Sequence, residues 1–324
     1  MDNLTHSLVG ALIGQAGLKR KTGLAMPALI IGANLPDIDA GCVVFGVESL
    51  AMRRGITHGP IAWVLLPLAL AGLLWWYDRW QARRGKRPEG RAEVRFGWLY
   101  ALAFIACLTH PALDWLNNYG IRLLEPFSSR WFYGDTLFII DVWLWLGLGF
   151  ATWLSLRRER RERNWRQPAR FALVSGLVYV GANFVWSQVE EQRFRATLPI
   201  LECSDEAIEA NACDWTAIAS PVPFLPWERE LMANLQPGWS HIPAGEPISG
   251  SSIRPISPNA CGWPQLDRLA QSRPDLAAFL FWSRAPFVEQ APDGNGIVLR
   301  DARFASLGRS GFSVPLRGIP CRKP

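Results

Sequence analysis

Histidine is scarce in this chain, with four in 324 residues, and cysteine is hardly commoner, with six. No two cysteines form a CxxC pair, which excludes a redox dithiol and a zinc ribbon. There is no glycine-rich phosphate loop, no nucleophile elbow and no internal repeat, so P-loop nucleotide chemistry, an α/β-hydrolase serine and a solenoid are excluded as well. Met1-Asp2-Asn3 carries no basic n-region and no small-residue cleavage site follows, so a cleaved signal peptide is not expected.

Apolar sequence, by contrast, is abundant. The chain is 49% apolar, holds 17 tryptophans and is long for one domain, and its mean hydropathy of +0.06 is high for a soluble enzyme. Membrane segments explain this. A net charge of +6 raises the question of nucleic acid, but the basic residues gather in short runs between apolar stretches, which is a topology signal rather than a binding footprint. No nucleic-acid partner is expected.

Leu4 to Leu18 and Leu24 to Leu35 are each shorter than the ~20 residues of a straight span, and Lys19-Arg20-Lys21-Thr22-Gly23 separates them. They read as a tight helical hairpin. Firmer spans are expected at Pro60–Tyr77, Phe96–Leu113, Leu137–Leu156 and Phe171–Ser187. The connection after Tyr77 carries Arg79, Arg83, Arg84, Lys86, Arg87, Arg91 and Arg95. The one after Leu156 carries Arg157, Arg158, Arg160, Arg161, Arg163, Arg166 and Arg170. Both should be cytoplasmic by the positive-inside rule. If the short hairpin also crosses there are six segments, both termini lie outside, and Lys19-Arg20-Lys21 falls inside.

The expected fold class is therefore an α-helical polytopic membrane domain over residues 1–188, with its first two segments short. A smaller α+β periplasmic domain follows over residues 189–324, where the sequence becomes rich in Pro, Gly and Ser. Within it Arg273 to Trp282 reads as a helix. Asp293-Gly294-Asn295-Gly296 reads as a hairpin turn before a strand over Ile297–Phe304. Cys203, Cys213, Cys261 and Cys321 lie here, and an oxidising compartment permits disulfides. Three connectivities are open to them; the short loop favours Cys203–Cys213, leaving Cys261–Cys321. Cys42 and Cys107, among the apolar segments, read as packing residues.

Three of the four histidines, His6, His58 and His110, stand at the ends of apolar segments. His110 and Asp114 are i and i+4, neighbours on one helix face. Asp37 and Asp39 follow the stop at Pro36; Asp135 and Asp141 flank the start of the fifth segment. The topology drawn from Arg and Lys alone places all eight at the outer ends of their helices. Ionisable groups at membrane depth are costly and usually functional, and one cation satisfies several together. Mixed His/Asp ligation without a nearby thiolate suits Zn²⁺, with Mn²⁺ or Fe²⁺ as alternatives. Singly, each residue has a plainer reading: His6 as a helix cap, Asp37 or Asp39 as an N-cap or loop charge, His58 as an interfacial histidine, Asp135 as a structural group.

At these positions the chain resembles the bacterial inner-membrane metal-dependent hydrolases, the YdjM-like proteins. The matching pieces are Leu4-Thr5-His6, Asn34-Leu35-Pro36-Asp37-Ile38-Asp39, Arg54-Gly55-Ile56-Thr57-His58, Thr109-His110-Pro111-Ala112-Leu113-Asp114 and Gly134-Asp135-Thr136-Leu137-Phe138-Ile139-Ile140-Asp141. The resemblance covers Met1 to Ser187 and extends to Ser220–Trp227 and Leu299–Phe304. It implies a membrane hydrolase using a divalent metal, with His6, Asp37, Asp39, His58, His110 and Asp114 as ligands. The order Asp, His, then His-x-x-x-Asp also looks like that of zinc-dependent phospholipases C, but the further His and Glu ligands of their three-metal cluster are missing, so one or two metals are expected.

The functional expectation is a hydrolase at the periplasmic face of the inner membrane. Its substrate would be a lipid or lipid-linked phosphoester, its base Asp39 or Asp141, and Arg54 would hold an anionic substrate group. The alternative is a non-catalytic membrane protein with a structural metal and a partner-binding outer domain. A transporter ranks last, because the groups gather at one face and no paired halves are present.

Overall fold

The computed structural model describes residues 1–198, 216–235, 238–307 and 312–322. The chain folds as two units, Met1–Asp39 with Arg54–Asn183, and Ala40–Arg53 with Phe184–Pro324.

The first unit begins with α1 (Asn3–Gln15), capped by the Asp2 carboxylate on the amides of Leu4 and Thr5, and α2 (Ala25–Gly32). The two pack closely because Gly10 has no side chain: a Cβ there would lie 2.5 Å from the Leu29 carbonyl oxygen. After α2 the chain runs in 3₁₀ turns over Leu35–Glu48, broken at Gly46 (φ 63°), into the short α3 (Ser49–Met52). The long helices are α4 (Pro60–Arg83), α5 (Phe96–Trp115), α6 (Val142–Arg160) and α7 (Arg166–Thr197).

Their packing follows membrane rules. Between helices in lipid the hydrophobic effect gives little, so small residues that let backbones approach take over. Ala25, Ala28, Ala33, Ala71, Ala103 and Ala106 accordingly dominate the buried cluster of α2, α4 and α5. Large apolar side chains point outward instead: Leu65, Leu73, Leu146, Phe171 and Leu177 are all exposed. That is the surface a lipid-facing helix presents.

Among the described residues, four segments are long and apolar enough to cross a membrane: Ala25–Met52, Pro60–Arg83, Phe96–Trp115 and Arg166–Thr197. The first is not one straight helix, since α2 ends at Gly32 and 3₁₀ turns follow; α2 itself is as short as the expected second arm of the opening hairpin, and the 3₁₀ continuation was not expected. The fifth expected span needs correction. Leu137–Ile140 is not helical, α6 starts only after its cap Asp141, and its last turn carries Arg157, Arg158 and Arg160, so α6 is not among the four.

The second unit is built on two antiparallel sheets. One has the order β1 (Ala217–Val222), β2 (Leu225–Leu235), β3 (Gly238–Ile242), β4 (Arg254–Pro255). The other has β5 (Pro286–Gln290), β6 (Ile297–Asp301), β7 (Ser313–Leu316). The turn at 293–296 joins β5 to β6 as expected, but the strand ends at Asp301 and a 3₁₀ stretch, Ala302–Leu307, replaces its last residues. Two short helices, α8 (Leu266–Ala270) and α9 (Pro274–Trp282), precede the second sheet, and α9 packs beside α3. Ile218 and Met232 from one sheet meet Phe287 from the other in a buried cluster. Cys261 and Cys321 form a disulfide; Cys203 and Cys213 lie outside the described residues.

Candidate metal centre

Four pieces of chain deliver the site, each for a local reason. α1 presents His6, fully buried. The turn after α2 presents Asp37 and Asp39, and is anchored by Asn34, whose amide donates to Ser7 Oγ (2.9 Å) and to the Ile30 carbonyl (2.8 Å). A 3₁₀ turn at Ile56–His58 presents His58. It sits tight against the loop after α5, because a Cβ on Gly59 would lie 1.9 Å from the Glu125 carbonyl oxygen. α5 presents His110 and Asp114 on one face, with Nε2 and Oδ2 3.6 Å apart.

Asp37, His58, His110 and Asp114 each offer a ligand atom, and these atoms lie within 4.8 Å of one another. His58 Nε2 stands 3.5 Å from Asp114 Oδ2, and His110 Nε2 stands 3.6 Å from Asp37 Oδ1. Two ligands each about 2.0–2.2 Å from a tetrahedral centre are about 3.3–3.6 Å apart, and these three pairs have that spacing. The tautomers agree. His110 Nδ1 lies 2.7 Å from the Ala33 carbonyl oxygen, to which it can only donate, so the Nε2 lone pair is left facing the cluster. His58 Nδ1 faces Thr57 Oγ1 at 2.9 Å and Asp39 Oδ2 at 3.4 Å. Both Nε2 atoms are buried without a hydrogen-bond partner, a costly arrangement that a cation relieves. His58 sits in the connection before α4, and burial, partly offset by the Asp39 carboxylate, holds its imidazole at about 4; it is neutral near pH 7, as a ligand must be.

Asp114 is the hub. Beyond His58 and His110 it meets His6 Nε2 at 3.4 Å, Arg54 Nε at 3.0 Å and the Met1 amine. His6 stacks on His110 with ring centroids 3.7 Å apart, and neither of its buried ring nitrogens has a hydrogen-bond partner. It lies beside the four-residue group rather than within it.

Asp39 serves a different purpose. Its Oδ2 accepts the Arg54 amide (2.8 Å) and the Thr57 hydroxyl (2.8 Å) while facing His58. A carboxylate behind a ligating histidine sets its orientation and raises its basicity. Arg54, expected to grip substrate, is 4% exposed, and its guanidinium donates to Asn117 Oδ1 (2.8 Å) and the Gly120 carbonyl (3.3 Å) besides pairing with Asp114. Its φ of 55° is left-handed, a strained conformation for a non-glycine residue that only dense surrounding contacts maintain. It is built into the wall of the site.

Asp141 is not brought to the cluster. It caps α6 by accepting the Leu144 amide (2.9 Å), and its other oxygen accepts the Tyr179 hydroxyl (2.8 Å). Asp135, buried with φ 46°, belongs to the turn before α6. Asp141→Ala should therefore cost about 0.5–2 kcal/mol of stability through the lost cap and leave bound metal unchanged. Asp39→Asn should lower metal affinity about 10–100-fold. Elemental analysis of the two purified variants separates these outcomes. Asn117, Thr57 and the Ala33 carbonyl were not anticipated from sequence; Thr57 beside His58, and Asn117 three residues beyond Asp114, are the only local hints.

Among known proteins, the chain is 29% identical over 143 residues to the uncharacterized protein YfhP of Bacillus subtilis (strain 168), a match covering 40% of this chain and 39% of YfhP. No solved structure matches. The family model described as YdjM inner membrane protein matches residues 1–189, which include every residue of the cluster. Neither name states a reaction. The apolar helices and that match over more than half of its length establish that the chain belongs to the YdjM inner membrane protein family.

Proposed function

We propose that the protein is a membrane-embedded metal-dependent hydrolase acting on a lipid or lipid-linked phosphoester at the periplasmic face of the inner membrane. The observation that carries this reading is the group Asp37, His58, His110 and Asp114, half-buried at Asp37 and buried at the other three, its ligand atoms within 4.8 Å of one another. Zn²⁺ fits this mixed N/O set best. When bound there, such a cation would supply Lewis acidity at the scissile bond and lower the pKa of water towards neutrality.

The protein's own groups do the rest. Ala33 and Asp39 fix the two ligand imidazoles from behind, and Arg54 fixes Asp114. Asp37 is the most open member of the four, which makes its side the route for substrate. The orientation rests on the basic runs after α4 and α6, which the positive-inside rule places in the cytoplasm, putting the opposite helix ends outside.

Elemental analysis, run with a panel of phospholipids and lipid phosphates, tests the proposal. Wild-type protein should carry stoichiometric metal and hydrolyse at least one member, and His110→Ala should do neither. Wild-type protein purified free of metal from metal-replete cells sinks the reading. Four protein ligands also satisfy a purely structural tetrahedral site, and that second reading is supported by full metal content with no turnover across the panel.

A further inference from the structure

Between α6 and α7, within the first unit, runs a groove of about 630 Å³ whose walls include Trp143, Gly147, Phe150, Phe171 and Gly176. Its rim is apolar and open: Phe150 is 63% and Phe171 73% exposed. Arg158 lines its end. This arginine is half-buried, and among the described residues its side chain has no acidic partner. Gln167 and Phe171 also border an adjoining recess of about 550 Å³, together with Arg166 and Arg170.

An apolar channel ending in guanidinium groups has the complement of an amphiphile with a negative head. From Trp143 to Arg158 the helix rises about 22 Å, longer than the ~15 Å of hydrocarbon in one leaflet, so a whole acyl chain finds room. Arginine is suited to phosphate by its planar fork of donors. The nearest ready occupant of a groove in a membrane helix pair is the bilayer itself.

We propose that this groove holds one anionic glycerophospholipid, with an acyl chain between α6 and α7 and its phosphate on Arg158. Arg158 lies at the far end of α6 from Asp141, and α1 runs beside α6 so that Thr5 meets Trp145 at one end while Gln15 meets Ser155 at the other. The lipid head is thus remote from His6 and the metal ligands. It is a resident lipid rather than a substrate, and the inference does not draw on the hydrolase reading.

The space can be filled without disturbing the fold, since a Cβ on Gly147 meets no atom within 4 Å and one on Gly176 meets only Leu148 Cδ2 at 3.9 Å. The test is native mass spectrometry of the full chain in detergent, delipidated and then offered phosphatidylglycerol or phosphatidylcholine. Wild-type protein should retain one phosphatidylglycerol in preference to phosphatidylcholine. Arg158→Gln should weaken that retention about fivefold, the effect of one arginine on an anionic lipid surface; Gly147→Leu should abolish it for both lipids. The midpoint of thermal unfolding, measured on the same delipidated samples, should be unchanged in each variant and reports that the fold survives. Equal retention of the two lipids by wild-type protein, retention unaltered in both variants, or a dimer that carries no lipid each overturns the proposal.

Discussion

Asp114→Ala is expected to abolish metal retention and to destabilise the membrane unit by about 3–5 kcal/mol, the cost of stripping one partner from a buried charge pair. The reason is convergence. Asp114 offers Oδ2 to the same point as His58 and His110 while pairing with Arg54, and all of these side chains are 5% exposed or less. Removing the carboxylate deletes a proposed ligand and strands a buried guanidinium at once. The two losses can be pulled apart. Asp114→Asn keeps the shape and a hydrogen-bond acceptor for Arg54, so it should recover much of the stability and little of the metal. Elemental analysis and thermal unfolding of detergent-solubilised protein read the two effects separately. Metal at wild-type stoichiometry in Asp114→Ala would exclude Asp114 as a ligand.

Asp301→Ala is expected to have a comparable effect on the second unit, for a related reason and with no effect on metal. The Asp301–Arg303 pair is fully buried. Oδ2 accepts the Ser283 hydroxyl (2.6 Å), the amides of Arg284 (3.0 Å) and Ala285 (3.2 Å) and Arg303 Nη2 (2.8 Å). Oδ1 accepts the Arg303 amide and Nε at 3.0 and 2.8 Å. One carboxylate therefore ties the end of β6 to the chain entering β5. Burial alone would raise its pKa, but the Arg303 charge and these hydrogen bonds outweigh burial and hold the carboxyl below the usual value. The sign follows from linkage: the stabilisation is present above the unfolded-state value of about 3.9 and is lost as pH falls through the lower folded-state value. In hydrogen exchange on the full chain, wild-type β5 and β6 should stay protected at pH 4.5, whereas Asp301→Ala should lose protection there by about 3–5 kcal/mol. Unchanged protection in the variant would contradict this account.

The sequence by itself determined the elements and the candidate ligands. Runs of apolar residues with Arg and Lys between them do not depend on tertiary contacts to be recognised, so α4, α5 and α7 were legible, and so were the short helices α1 and α2 of the opening hairpin. His110 and Asp114 were legible as a pair because four residues make about one helical turn. The turn before β6 was legible from its glycines.

Other features were decided only by the tertiary structure, because they depend on which groups a carboxylate or guanidinium meets across space. Asp37, Asp39 and Asp141 all stand at segment ends in sequence, yet Asp37 faces His110, Asp39 braces His58 from behind, and Asp141 is consumed by the first turn of α6 and by Tyr179. Arg54 reads from sequence as a grip for an anionic substrate group, but folding buries it against Asp114 and Asn117. The start of α6 moved from Leu137 to Val142 because Thr136 and Leu137 donate their amides to the Leu116 carbonyl, a partner that no local pattern reveals. Hydropathy and helical period act along the chain, whereas ligand spacing, tautomer and buried charge pairing arise where distant segments meet.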